Sequence, residues 1–164
     1  MTATLPSRAT PAAGFAVLDS VGLAPGVRVL DVGCGRGDTT IAAARRVGPS
    51  GLVLGVDARL TLLEAARSRA AAAGLGHVGF VHADAQSQRF APLRFDAIVS
   101  ARGLDVFADV AAGVANLVRA LRNGGRLALA AREDPARVLA ALEEAGLESS
   151  LAAATGVVTA RAPA

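Results

Sequence analysis

The sequence predicts an open α/β fold, doubly wound around a mostly parallel seven-stranded sheet that ends in an antiparallel hairpin. Three observations carry that expectation. Short β-branched or leucine-rich runs alternate with longer alanine-rich segments, the signature of βαβ units. The first run empties into a glycine-rich turn that opens a helix. Two late runs are split only by Thr155-Gly156, as in a hairpin.

Residues 1–14 are small, polar and proline-bearing, and read as a tail or loose cover. Phe15 to Val21 reads as a short helix closed by Pro25-Gly26. Strands are expected at Val27–Val32, Leu52–Asp57, Val78–His82, Phe95–Ser100 and Arg126–Ala131. A helix over Thr39–Val47 stops at Gly48-Pro49-Ser50-Gly51. The next, Leu60–Ala73, lines up Leu60, Leu63, Ala66 and Ala70, and Gly74 sits where a C′ glycine belongs. Val106, Val110, Val114, Leu117 and Leu121 recur at helical spacing before Asn123-Gly124-Gly125 turns the chain. Asp134-Pro135 is an N-cap and N1 pair for a helix through Ala145, closed by Gly146. Glu148–Ala153 and Val157–Ala160 form the hairpin. The expected organisation is residues 1–25 as tail and short helix, and 26–164 as one domain.

Composition narrows the function. The chain has 164 residues, an ordinary single-domain length. Its hydrophobic share of 52% is inflated by alanine. No apolar run approaches the roughly 20 residues of a membrane span, and no basic start precedes an apolar stretch as in a secretory leader. A cytoplasmic location without membrane partners is therefore the expectation. The net charge of +3 comes from scattered arginines with no charge block, and there is no Trp or Tyr to stack on bases, so nucleic acid is not an expected partner. Cys34 is the only cysteine, which excludes an internal disulfide, and no Cys/His cluster has metal-ligand spacing, so no metal is expected.

The central signal is Val29-Leu30-Asp31-Val32-Gly33-Cys34-Gly35-Arg36-Gly37-Asp38. Alternating glycines allow positive φ and let a ligand approach the backbone. The following helix N-terminus offers free N–H groups. Asp57 ends the second strand 24 residues after Gly33, near the spacing of a ribose-binding acid. Both positions fall at one edge of a Rossmann-like sheet, where open α/β folds bind ligands. A nicotinamide fingerprint G-x-G-x-x-G wants glycine where Asp38 stands, and an acid there would repel a pyrophosphate. S-adenosylmethionine (SAM) has no phosphate, and Asp31 is well placed to pair with its ammonium.

These residues resemble the class I SAM-dependent methyltransferases, over about Gly22 to Ala131. VLDVGCGRGDTT is similar to that family's first motif, GVDARLTLLEAARSRAAAAGL to its second and FVHADAQSQRF to its third. FDAIVSARGLDVF and NLVRALRNGGRL are similar to its fourth and fifth. The likeness is greatest to the branch related to ubiquinone and menaquinone biosynthesis, which acts on small molecules. The resemblance implies that Asp31, Gly33, Cys34, Gly35 and Gly37 surround the methionine part of SAM. Asp57 would hold the ribose, Ala58 would pack on the adenine, and Asp84 with Ala85 would face the adenine edge. Ser100 would lie near the reacting methyl.

The acceptor half is thinner. Arg36 and Arg59 stand where small polar residues are usual in that branch, and either side chain can point outward. Only Arg132-Glu133 separates the fifth strand from the Asp134 cap, where a longer acceptor-enclosing segment is usual. His82, Arg102 and Asp105 are the candidates for acceptor chemistry, each with a plain alternative as a strand-end or loop residue. Two functions stay open: a methyltransferase acting on a small-molecule acceptor, and a SAM-binding domain without turnover of its own. An open cleft of this kind predicts either a homodimer that closes the site in trans or a slow monomer.

Overall fold

The computed structural model describes residues 11–102, 104 and 106–164. The expected tail over 1–10 and the candidate Asp105 lie outside the described residues. The elements run α1 (Pro11–Val21), β1 (Arg28–Val32), α2 (Asp38–Val47), β2 (Leu52–Asp57), α3 (Leu60–Ala72), β3 (Val78–His82), β4 (Phe95–Ser100), α4 (Val110–Ala120), β5 (Leu121–Ala130), α5 (Pro135–Glu144), β6 (Glu148–Ala152) and β7 (Val157–Arg161). One seven-stranded sheet has the order β3-β2-β1-β4-β5-β7-β6. The pairings among β1 to β5 are parallel, and β7 runs antiparallel to both β5 and β6.

The sheet's central strands are buried on both faces, and the two faces differ in side-chain size. Leu30, Ile98, Leu127 and Leu129 pack on the face covered by α4 and α5. Ala97, Ala128 and Ala130 alternate with them on the other face, where Val17, Leu18 and Val21 of α1 join Ala43, Ala44 and Val47 of α2. Small strand residues let α1 lie close over β4 and β5, and large ones fill the space beneath α4 and α5. This is the period-2 logic of a doubly covered sheet.

Three boundaries differ from the sequence reading by more than one residue. Helix α1 begins at Pro11, not Phe15, so residues 11–14 are helical rather than tail. Gly14 makes that possible, because a β-carbon there would lie 2.9 Å from Thr39 Oγ1 at the head of α2. Helix α4 begins at Val110 because the Asp109 carboxylate caps it, accepting from Ala112 N–H at 2.9 Å. Val106, read as the first residue of the buried stripe, is 73% exposed. Strand β5 starts at Leu121 rather than Arg126. Phe95 pairs with Leu121 while Ala97 pairs with Arg126, so β5 loops out around Asn123-Gly124 and rejoins β4 in register. Gly124 takes φ +67 in that loop. The hydrophobic period was right for Leu121, which is buried, but tertiary pairing with Phe95 took it from the helix.

Gly113 in α4 is a test of the packing. Alanine normally stabilises a helix interior relative to glycine by about 0.5–1 kcal/mol. Here a β-carbon would lie 2.2 Å from the ring of Phe107, which belongs to the core. Gly113→Ala should therefore destabilise the fold by about 1–3 kcal/mol, the usual cost of overpacking. Urea unfolding followed by circular dichroism measures the sign; a gain in stability would mean the Phe107 ring moves freely.

Candidate cofactor site

The turn after β1 hangs from β2. Gly33 and Cys34 N–H both donate to the carbonyl of Val56, at 2.8 and 3.0 Å, and Gly37 N–H donates to Cys34 O at 2.9 Å. Gly33, Gly35 and Gly37 take φ of +69, +55 and +84, a region that side-chain-bearing residues rarely occupy. Cys34 is buried beneath the turn. Gly55 of β2 makes room for it, since a β-carbon there would sit 2.9 Å from both Cys34 Sγ and the Phe80 ring. Burial, reinforced by the Asp31 and Asp57 charges, pushes the Cys34 thiol far above its ordinary range, so it fills space and is not a nucleophile.

Two acids flank the turn and are held in opposite protonation tendencies. Asp31 is 1% exposed, and Thr40 Oγ1 of α2 donates to its Oδ2 at 2.6 Å. No ion pair among the described residues involves it. Burial raises its pKa from 3.8 to about 7; the nearby Asp57 charge adds to the rise and the Thr40 hydrogen bond opposes it. Asp57 is 5% exposed. Burial would raise its pKa too, but the Arg59 side chain and backbone and the Gly35 N–H outweigh that and hold it below the ordinary carboxylate value. Gly35 N–H donates to Oδ2 at 2.8 Å, and Arg59 N–H and Nε donate to Oδ1 at 2.9 and 3.1 Å. The Asp57 carboxylate thus ties the tip of the glycine turn to the end of β2.

Arg59 is exposed, and its guanidinium bridges both Asp57 oxygens, with Nη2 3.3 Å from Oδ2. Arg36 is exposed, and its carbonyl accepts from Arg69 Nη1 at 2.8 Å. Asp38 opens α2 with an exposed carboxylate paired to Arg69 at 2.7 Å. Arg102, just past β4, lays its alkyl stem across Gly33, with Cδ 3.4 Å from where a β-carbon would be.

The remaining expected residues gather at the same end of the sheet. Asp57 and His82 are register partners on β2 and β3. His82 Nε2 lies 3.0 Å from Ala58 O, which ties the ring to the residue just past β2, and β2 and β1 separate His82's strand from β4. Asp84 is exposed and starts a tight turn, with Oδ1 accepting from Gln86 N–H at 2.9 Å. Ala85 is buried, and its carbonyl accepts from Asn116 Nδ2 of α4 at 3.0 Å. Asn116 also holds Gln88 O, so one side chain of α4 fixes this loop. Ser100 is fully buried; its hydroxyl donates to Val32 O at 2.8 Å and joins the ends of β1 and β4. Thr40, Arg59 and Asn116 were not read from the sequence as site residues. Only Asn116, a lone amide in an apolar helix, left a visible signal.

Residues 29–125 match the family model described as a methyltransferase domain. The chain belongs to the class I SAM-dependent methyltransferases. It is 40% identical over 113 residues to the nocamycin O-methyltransferase of Saccharothrix syringae, covering 69% of this chain and 40% of that protein. It is 35% identical over 111 residues to the ubiquinone/menaquinone biosynthesis C-methyltransferase of Shewanella halifaxensis, covering 67% of this chain and 44% of that one. The chain thus spans under half the length of these curated relatives. In fold it is similar to a SAM-dependent methyltransferase from Aquifex aeolicus, with TM-score 0.76, 22% identity, and 96% and 93% of the two chains covered. SAM is the cofactor of this family. The residues present fit it: glycines at positive φ put no β-carbon on the turn, a buried acid has no counter-cation among the described residues, and a second acid ends the adjacent strand.

The Asp31 shift has a sign that can be checked. Between its unfolded value of 3.8 and its folded value of about 7 the native state holds the extra proton, so stability falls as pH rises through that window and is flat above it. Asp31→Asn keeps an acceptor for Thr40 and removes the penalty. The variant should match the parent near pH 4 and exceed it increasingly up to pH 7. Roughly three units at about 1.4 kcal/mol each set an upper limit on the order of 4 kcal/mol. A parallel pH profile for the two proteins in urea unfolding would show that Asp31 ionises normally.

Proposed function

We propose that this methyltransferase domain holds SAM across the ends of β1 and β2 and passes its methyl group to a small organic acceptor. The observation that carries this is the pair of acids around the glycine turn. Asp31, buried with no cation beside it among the described residues, suits the SAM ammonium, and Asp57, at the end of β2, suits the two ribose hydroxyls. Ala58 and the Asp84-Ala85 loop would border the adenine. When bound, SAM supplies a methyl group already activated by a sulfonium. The protein's task is then to orient the acceptor and exclude water. No general base is required for thiol, amine or carbanion-like acceptors. The O- and C-methylation in the relatives' names supports a small-molecule acceptor.

A second reading is a SAM-binding domain whose acceptor side comes from other material. What favours it is the junction after β5. Strand β5 ends at Ala130 and α5 starts at Pro135, with Asp134 already capping the helix through Arg137 N–H at 3.0 Å. That leaves no segment there to enclose an acceptor. The same proposal assigns the chain to the cytoplasm and lets a second copy close the cleft; no described helix is long and apolar enough to cross a membrane.

Calorimetry with SAM and S-adenosylhomocysteine, followed by an acceptor panel monitored for S-adenosylhomocysteine, separates the readings. Asp57→Ala should weaken SAM binding by about 1–3 kcal/mol, the cost of unpairing polar groups. Unchanged affinity would remove Asp57 from the site. Gly35→Val should abolish SAM binding while the far-UV spectrum survives, because a β-branched residue is strained at φ +55. Normal SAM binding by that variant would move the ligand elsewhere.

A further inference from the structure

The cofactor carries a carboxylate as well as an ammonium, and the site described so far offers that carboxylate no partner. The head of α2 is a poor one. Its first residue is Asp38, whose exposed carboxylate opposes a second acid at the same helix end. Arg59 is already engaged by both oxygens of Asp57. Arg36 is exposed on the outside of the turn.

Arg102 is different. Its stem crosses Gly33 at 3.4 to 3.9 Å from the position of an absent β-carbon, and its Nη1 reaches 4.0 Å from the corresponding position at Gly35. The guanidinium therefore lies along these two glycines. It is half-buried, and among the described residues no oxygen accepts a hydrogen bond from it. Partial burial and the Arg59 charge both act against its own charge, with Asp57 acting the other way. A desolvated guanidinium without an acceptor is costly, and an anion brought to it recovers that cost.

We propose that Arg102 is the residue that binds the amino-acid carboxylate of SAM, gripping it over the Gly33–Gly35 turn while Asp31 takes the ammonium. The proposal rests on the SAM site set out above. It makes Arg102 a cofactor-selecting residue rather than one that orients the acceptor. The missing β-carbons of Gly33 and Gly35 then leave room for the arginine side chain over the turn.

The test compares two ligands that differ only in that carboxylate: S-adenosylhomocysteine and 5′-deoxy-5′-(3-aminopropylthio)adenosine. Calorimetry is run on the parent chain, Arg102→Met and Arg102→Lys, with circular dichroism and thermal unfolding as fold controls. A charge-assisted hydrogen bond corresponds to roughly 10- to 100-fold in affinity. Arg102→Met should lose about that factor for S-adenosylhomocysteine and less than about threefold for the aminopropyl ligand. Arg102→Lys should recover much of the loss. Equal losses for both ligands, or none for either, would overturn the assignment. Binding of neither ligand by the parent chain would instead bring down the SAM site itself, and the proposal with it.

Discussion

One carbonyl oxygen organises the ligand end of this protein. Val56 O, near the end of β2, accepts from both Gly33 and Cys34 and so fixes the exit of β1 onto its neighbour. The glycine turn, the start of α2 and the side chains around them inherit their positions from that bond pair. Asp57, the next residue, adds a third tie through Gly35 N–H. The same two residues of β2 thus shape the turn and supply the acid beside it. These bonds hold the turn in one conformation.

The two acids of the site are tuned apart by their surroundings. Asp57 is surrounded by donors and is held below the ordinary carboxylate value, whereas Asp31 has one hydroxyl and no cation among the described residues and is raised to about 7. The resulting difference in pKa is produced by environment alone: burial dominates at Asp31, and the Arg59 and Gly35 donors outweigh it at Asp57.

Packing explains how a short chain keeps this end intact. Alanines on one face of β4 and β5 bring α1 close, and Gly14 brings its first turn against Thr39, next to Thr40 that holds Asp31. The opposite face carries the bulk, and Asn116 of α4 reaches across to clamp the Ala85–Gln88 loop. Both sides of the cleft are therefore braced by helices that belong to the core. The junction between β5 and α5 is tight by comparison, with four residues between Ala130 and Pro135.

The order of elements, the parallel sheet with its antiparallel end, and the glycine turn between β1 and α2 were legible in the residues. Period-2 and period-3.6 patterns, with Gly and Asp-Pro punctuation, are local chemistry and survive in a linear string. β2, β3 and β4 were read to the residue because β-branched runs with clear stops mark them. Tertiary contacts decided the rest. Leu121 passed from helix to strand because Phe95 offered a buried partner, and Val106 dropped out because the Asp109 cap starts the helix later. Arg59 turned to a carboxylate two residues away, and Ser100 turned to a carbonyl on the adjacent strand. Long side chains and hydroxyls choose among partners by distance in space, and that distance is set only when the strands have paired.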